Sequence, residues 1–296
     1  MDADRLRQIG TAHLPMHSRR ELGKLGLALL ASRVTGKPAE RIGGVLIGIK
    51  GFTFRDRSID EGIKATKQLG LGAWALSFYN LEPAGITRQE LRKWRLEVPL
   101  EEFRRVRRKF DVNGIVLNAY SFPSRKNVTE EEVVRGFEMT KALGLSLMTT
   151  SSSVSRAAAM DALASKMKIY VAFHNHSAVK ADEFATPDDF DAALSGRSPY
   201  VGINLDVGHF SAAGFDPVSF LEKHHERIWS IDLKDRKKNQ GPDCIFGQGD
   251  TPVREILLLL KKNRYDIPAM IEWEVAEGDK VADVRKCLDY CRKVLA

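Results

Sequence analysis

From Val45 to the C-terminus, short apolar runs alternate with longer stretches whose apolar residues recur every three to four positions. The short runs are 45–50, 73–78, 115–120, 146–150, 169–174, 201–205, 228–233 and 269–273. They are too short for helices and read as buried strands. The stretches between them, 59–69, 88–110 (broken near Pro99), 130–143, 155–167, 187–195, 217–225, 252–263 and 280–294, read as helices. Strand and helix alternating eight times is the pattern of an α/β protein built as a (β/α)8 TIM barrel.

Helix-start chemistry supports this count. Ser58-x-x-Glu61, Thr87-x-x-Glu90 and Thr129-x-x-Glu132 have the form of capping boxes. Thr186-Pro187, Asp216-Pro217 and Thr251-Pro252 place a capping side chain before a proline, whose missing N–H costs nothing at a helix start. A barrel of this kind needs about 250 residues, so 44–296 is read as one catalytic domain.

Residues 1–43 do not fit the alternation. Ser18–Lys24 (SRRELGK) precedes the uncharged run Leu25–Ser32. Paired arginines before a short apolar run resemble a twin-arginine export signal, which predicts a periplasmic location; a basic amphipathic helix, with a cytoplasmic location, is the alternative. No clean cleavage site follows. No uncharged run reaches the ~18 residues of a membrane span.

Charge narrows the partners. The formal net charge is +7, but residues 1–41 hold eight Lys/Arg against four Asp/Glu, leaving +3 on the other 255. That is weak for a nucleic-acid binder. The basic cluster Arg104–Lys109 falls on an outer helix and reads as a solvated face, because no aromatics interleave with it. Cys244, Cys287 and Cys291 lack metal spacing and read as packing residues. A homo-oligomer is compatible with the chain.

The chemistry sits at four strand ends. Ile169–His176 (IYVAFHNH), Val201–Phe210 (VGINLDVGHF), Ile228–Asp235 (IWSIDLKD) and Ala269–Glu274 (AMIEWE) each run from apolar residues into groups that bind metals or move protons. In a parallel barrel these ends share one mouth, so His174, Asp206, Asp232 and Glu272 are expected to converge. Each has a plainer reading. Asp206 would cap the next turn, Glu272 would close an internal salt bridge, and His174 and His176 would be satisfied core residues. Lys234 shares a face with Asp232; it would hold a substrate oxygen, or form a buried ion pair. Gly247-Gln248-Gly249 would take a phosphate, or make a tight turn before a helix. An oxygen-rich set with one imidazole suits Mn²⁺, Mg²⁺, Co²⁺ or Fe²⁺, with Zn²⁺ as a further choice.

These stretches, with LKDRKKNQGP at 233–242, FGQGDTP at 246–252, GFEMTKALGL at 136–145 and EFATPDDF at 183–190, resemble the xylose-isomerase-like TIM-barrel family of sugar phosphate isomerases and epimerases, in particular an exported bacterial subgroup. The resemblance implies a divalent metal and isomerisation, epimerisation or elimination on sugars, keto-sugars or inositols. It carries Asp206 and Glu272 over as metal ligands. Relatives usually have His at Asp232, often Glu at His174, and commonly a Glu ending the second strand, where this chain reads AWALSF. The expected assignment is therefore His174, Asp206, Asp232 and Glu272 at the metal. Glu272, His176 and Lys234 are assigned to catalysis, and His209, Asn175, Lys234 and Glu274 to the sugar. With a rearranged metal site the chain is an isomerase, epimerase or lyase working through an enediolate. With a degraded one it is a non-catalytic sugar-binding barrel. A multi-zinc endonuclease of the same superfold needs more ligands than the chain offers.

Overall fold

The computed structural model describes residues 40–296. The arginine pair and apolar run of the expected leader lie outside the described residues. Residues 40–43 fall inside them and pack against the barrel: Ile42 lies on the core, and Arg41 pairs with Asp266 at 2.5 Å.

Eight parallel strands close into a barrel: β1 (Ile47–Lys50), β2 (Ala73–Ser77), β3 (Val116–Ser121), β4 (Leu147–Thr150), β5 (Tyr170–His174), β6 (Val201–Asp206), β7 (Ile228–Leu233) and β8 (Ala269–Ile271). Each pairs with its neighbours in sequence, and β8 returns to β1. The expected strands are met to within two residues at each end. Helices pack outside, and the larger apolar cluster fills the space between them and the strands. A second cluster sits inside the barrel, with Leu46, Leu147, Trp229 and Met270 filling it. Gly202 makes room for that filling, since a Cβ there would stand 2.8 Å from the Trp229 ring.

The capping boxes at Ser58, Thr87 and Thr129 all form, as do the caps at Thr186 and Asp216. Thr251 departs from expectation. Its hydroxyl accepts from Arg236 N at 3.1 Å, and the helix begins only at Val253. Pro99 divides the second outer stretch into Arg88–Glu97 and Leu100–Val112, with Val98 extended as a residue before proline must be. Besides the short 3-10 helices Gly51–Phe54 and Phe78–Asn80, two elements were not anticipated: a helix at Val207–Ala212 and a two-stranded hairpin of Asp235–Arg236 with Asp243–Cys244. Both sit on the loops that follow β6 and β7.

Candidate active site

β6 is buried along its whole length and ends at Asp206. The Asp206 Oδ1 atom accepts from His209 N at 2.7 Å and starts the helix Val207–Ala212. Gly208 is required one turn in: a Cβ there would stand 2.7 Å from the Lys234 side chain. Asp206 therefore does cap the next turn, yet only one of its oxygens is engaged in doing so. In the register, Asp206 lies beside Asp232 on β7, and Asp232 beside Met270 on β8. Glu272 N continues the ladder to Leu233 O at 2.9 Å, and its side chain turns inward. Asp206, Asp232 and Glu272 each contribute an oxygen to a set lying within 4.8 Å of one another. All three residues are buried, and Asp206 Oδ2, Asp232 Oδ1 and Glu272 Oε2 have no hydrogen-bond partner among the described residues.

Lysines surround this set. Lys234 Nζ lies 3.1 Å from Asp206 Oδ2 and 3.4 Å from Glu272 Oε2, close enough for charge attraction but not aligned as hydrogen bonds. It donates to Glu274 Oε1 at 2.8 Å and lies 3.2 Å from His209 Nε2. Lys50, at the end of β1, donates to Asp232 Oδ2 at 2.6 Å and to Asn204 Oδ1 at 3.3 Å. His174 Nδ1 faces the same two acceptors, each at 3.2 Å. Flanked by two acceptors, Nδ1 is the donor, and Nε2 is the ring nitrogen left to face another partner. His174 also belongs to a second potential ligand group with Asp206 and His209.

Charge bookkeeping shows what the cluster lacks. Four carboxylates (Asp206, Asp232, Glu272, Glu274) face two ammonium groups (Lys50, Lys234). Fully ionised, they leave two excess negative charges, which one divalent cation would cancel. Burial, reinforced by Asp232, pushes the Glu272 carboxyl up to about 7 against the pull of Lys234. Burial would also raise Asp232, but Lys50 and His174 outweigh it and hold that carboxyl low. Both lysines remain cationic, since the neighbouring carboxylates overcome the effect of burial. A buried, unpartnered oxygen triad with this charge deficit fits a divalent ion.

The remaining expected residues divide. His176 lies with its ring centroid 4.9 Å from that of His174 and 5.9 Å from that of His209. Burial, then His174, His209 and Arg125, lower its pKa to about 2, so it stays neutral. A neutral imidazole offers one N–H donor and one nitrogen acceptor for hydrogen bonding. Burial and Lys234 hold His209 well below its ordinary value too. Glu274 is one-third exposed at its side chain and reaches the open side. Asn175, expected at the sugar, is fully buried: its amide bonds the Asp206 backbone through both N–H and C=O, at 3.0 and 2.9 Å. It fastens β5 to β6 because alternation turns it away from the mouth. The Gly247–Asp250 turn takes the plainer reading, since Gly247, Gly249 and Thr251 N–H groups all donate to the Asp235 carboxylate. The Arg104–Lys109 cluster is a solvated face paired with Glu101, Glu102, Asp60 and Asp111.

Sequence reasoning missed Lys50, Asn204 and Arg236. The Arg236 guanidinium contacts His209 Nδ1 at 2.8 Å and Ser177 Oγ at 3.0 Å. Alternation from Leu46 and Gly48 would have placed Lys50 inside the barrel.

A family model described as xylose isomerase-like TIM barrel matches residues 63–294. The chain belongs to this family. Among curated relatives, an inosose dehydratase of Bacillus licheniformis is 25% identical over 199 residues. That match covers 61% of this chain and spans only 57% of the relative's length. An uncharacterised protein of Parabacteroides distasonis, solved by crystallography, is 26% identical with a TM-score of 0.62, covering 84% of this chain and 99% of its own. The IOLI protein with a bound zinc atom superposes with a TM-score of 0.65 at 13% identity, over 85% of this chain and 98% of its own, and shares the fold.

Proposed function

We propose that this member of the family is a divalent-metal-dependent isomerase, epimerase or lyase acting on a sugar or keto-sugar. The observation that carries the reading is the buried carboxylate set Asp206, Asp232 and Glu272, which brings an oxygen of each within 4.8 Å of the others and leaves one oxygen of each without a hydrogen bond. They would hold the ion together with His174 Nε2. A divalent ion held there would supply Lewis-acid polarisation of a keto-sugar, which acidifies the C–H next to the carbonyl. Glu272 would take that proton to give the enediolate and return it to carbon for isomerisation or epimerisation; for elimination it would pass it to the β-hydroxyl oxygen, whose C–O bond breaks as water leaves. Lys234 anchors Glu272 and Glu274 from beneath, while Glu274, His209 and His176 offer hydrogen-bonding atoms to sugar hydroxyls. The dehydratase name of the curated relative favours the lyase arm.

A non-catalytic sugar-binding barrel remains the second reading, favoured by the absence of an acid at the end of β2. Elemental analysis of the purified protein, with keto-sugars, inososes and glycosides followed by proton NMR in D₂O, separates the two. About one divalent ion per chain with loss of a substrate C–H signal is expected. Sugar binding with neither ion nor exchange selects the binding protein.

A further inference from the structure

Lys50 is the one charged side chain that β1 sends into the mouth, and neither the family resemblance nor the proposed chemistry gives it a task. The residue is 4% exposed, and its ammonium lies 2.6 Å from Asp232 Oδ2. That oxygen also faces His174 Nδ1 at 3.2 Å, so it is engaged on both sides. Only Asp232 Oδ1 is left for another cation, and it has no partner. Asn204 Oδ1 takes the second bond of Lys50, and the Asn204 amide donates to Ser230 O at 3.4 Å, which holds the pair in place.

We propose that Lys50 is a positioning residue that tunes the metal site: a resident ammonium that neutralises Asp232, restricts it to one ligand oxygen and thereby loosens the hold on a divalent ion. This rests on the metal site proposed above. The physical argument is charge. Asp206, Asp232 and Glu272 present three negative charges when all are ionised. Lys234 lies within 3.4 Å of Asp206 and Glu272 and Lys50 is bonded to Asp232, so removing Lys50 returns one full negative charge to the ion. A fixed positive charge beside a divalent ion repels it, and does so more strongly among buried side chains than in water. The pair Lys50–Asp232 is formally neutral, and removing the lysine alone releases a full carboxylate to the ion.

The sign of the effect separates this role from a structural one. A lysine that only supports the fold would, when removed, leave ion affinity unchanged or weaken it. Metal-stripped parent and Lys50→Met protein are titrated calorimetrically with Mn²⁺ and with Zn²⁺, and melted with and without each ion. Lys50→Met is expected to bind at least tenfold more tightly, about 1.4 kcal/mol. Its metal-free form should melt lower than the parent, because Asp232 is left buried and unpaired, and the ion should recover more of that loss than it adds to the parent. Equal or weaker affinity in Lys50→Met overturns the proposal. If that variant is not recovered folded, Asp232→His is compared with Lys50→Met/Asp232→His. An imidazole cannot neutralise the ammonium, so the double variant should bind at least tenfold more tightly than Asp232→His. No gain there overturns the proposal equally. A parent that binds no ion while Lys50→Met binds one would remove the metal dependence of the proposed reaction and leave the role of Lys50 standing.

Discussion

Strands β5 to β8, with β1, turn His174, Asn204, Asp206, Asp232, Glu272 and Lys50 toward the barrel mouth. Strands β2 to β4 present Ala75, Ser77, Ala119, Ser121 and Thr149 on the corresponding face, as their shared register requires. One half is a lattice of buried charge in which every ion has a counter-ion within 4 Å. The other has no charge and small side chains. The difference separates two tasks. Buried charges must be held in place by partners, so on the proposed reading the ionic half would be the frame for a cation. The neutral half, with its small hydroxyl and methyl groups, would then be the side for the substrate.

The comparison breaks most sharply at Lys234. Its ammonium is within reach of Asp206, Glu272 and Glu274, and it is 1% exposed. Lys234→Met keeps the bulk and removes the charge. Breaking a buried ion pair by deleting one partner costs about 3–5 kcal/mol. For a domain of this size that lowers the melting temperature by roughly 6–20 °C. Calorimetric or circular-dichroism melts of the variant check this. A loss below about 1 kcal/mol would mean that the carboxylates are not held ionised by the lysine, and the ionic half would not be a frame.

How far each half was legible follows from the same physics. Strands announced themselves because a buried parallel strand is a continuous apolar run, and helices because their first turns need caps that only a few side chains supply. Asp206, Asp232 and Glu272 stood out as acids ending apolar runs. Lys50 ends the run GVLIGIK in the same way and was passed over, since a lysine after a strand reads as the start of a solvated loop. Its burial depends on Asp232 and Asn204, more than 150 residues away, and only the closed barrel brings them together. The helix Val207–Ala212 was hidden for another reason: it is buried all round, so it shows no polar face. The neutral half carried no signal beyond an absence, the missing acid at the end of β2.

A smaller change tests whether the frame selects the cation. Asp206→Asn preserves the side-chain oxygen that accepts from His209 N, so the helix start survives. It removes the charge and one free oxygen. Metal content, measured by elemental analysis after dialysis, is expected to fall from about one ion per chain to below about a tenth, with affinity lower by about 100-fold or more, at or beyond the upper end of what loss of an outer-shell partner costs. Ser121→Ala, across the mouth, should keep the ion. If both variants keep it, the cation is held elsewhere and the division between the halves fails.

The smallest effect is expected at Thr149, and its sign is the informative part. Thr149 lies on β4 between Ser121 on β3 and Ala172 on β5, and is 1% exposed. Its Oγ1 has no hydrogen-bond partner among the described residues. A buried hydroxyl left unpaired costs about 1–3 kcal/mol relative to one that is bonded. Valine has nearly the same shape, so Thr149→Val keeps the packing and deletes the unpaired group. Stability should stay level or rise by up to about 1 kcal/mol, read from denaturant unfolding at constant slope. In the ionic half, the comparable shape-preserving change, Lys234→Met, has the opposite sign because the lysine has partners that would be left behind. A loss of more than about 1 kcal/mol in Thr149→Val would mean that the hydroxyl is satisfied through a buried water. The neutral half would then be joined to the polar network, and its small residues would be part of the frame rather than space left for a substrate.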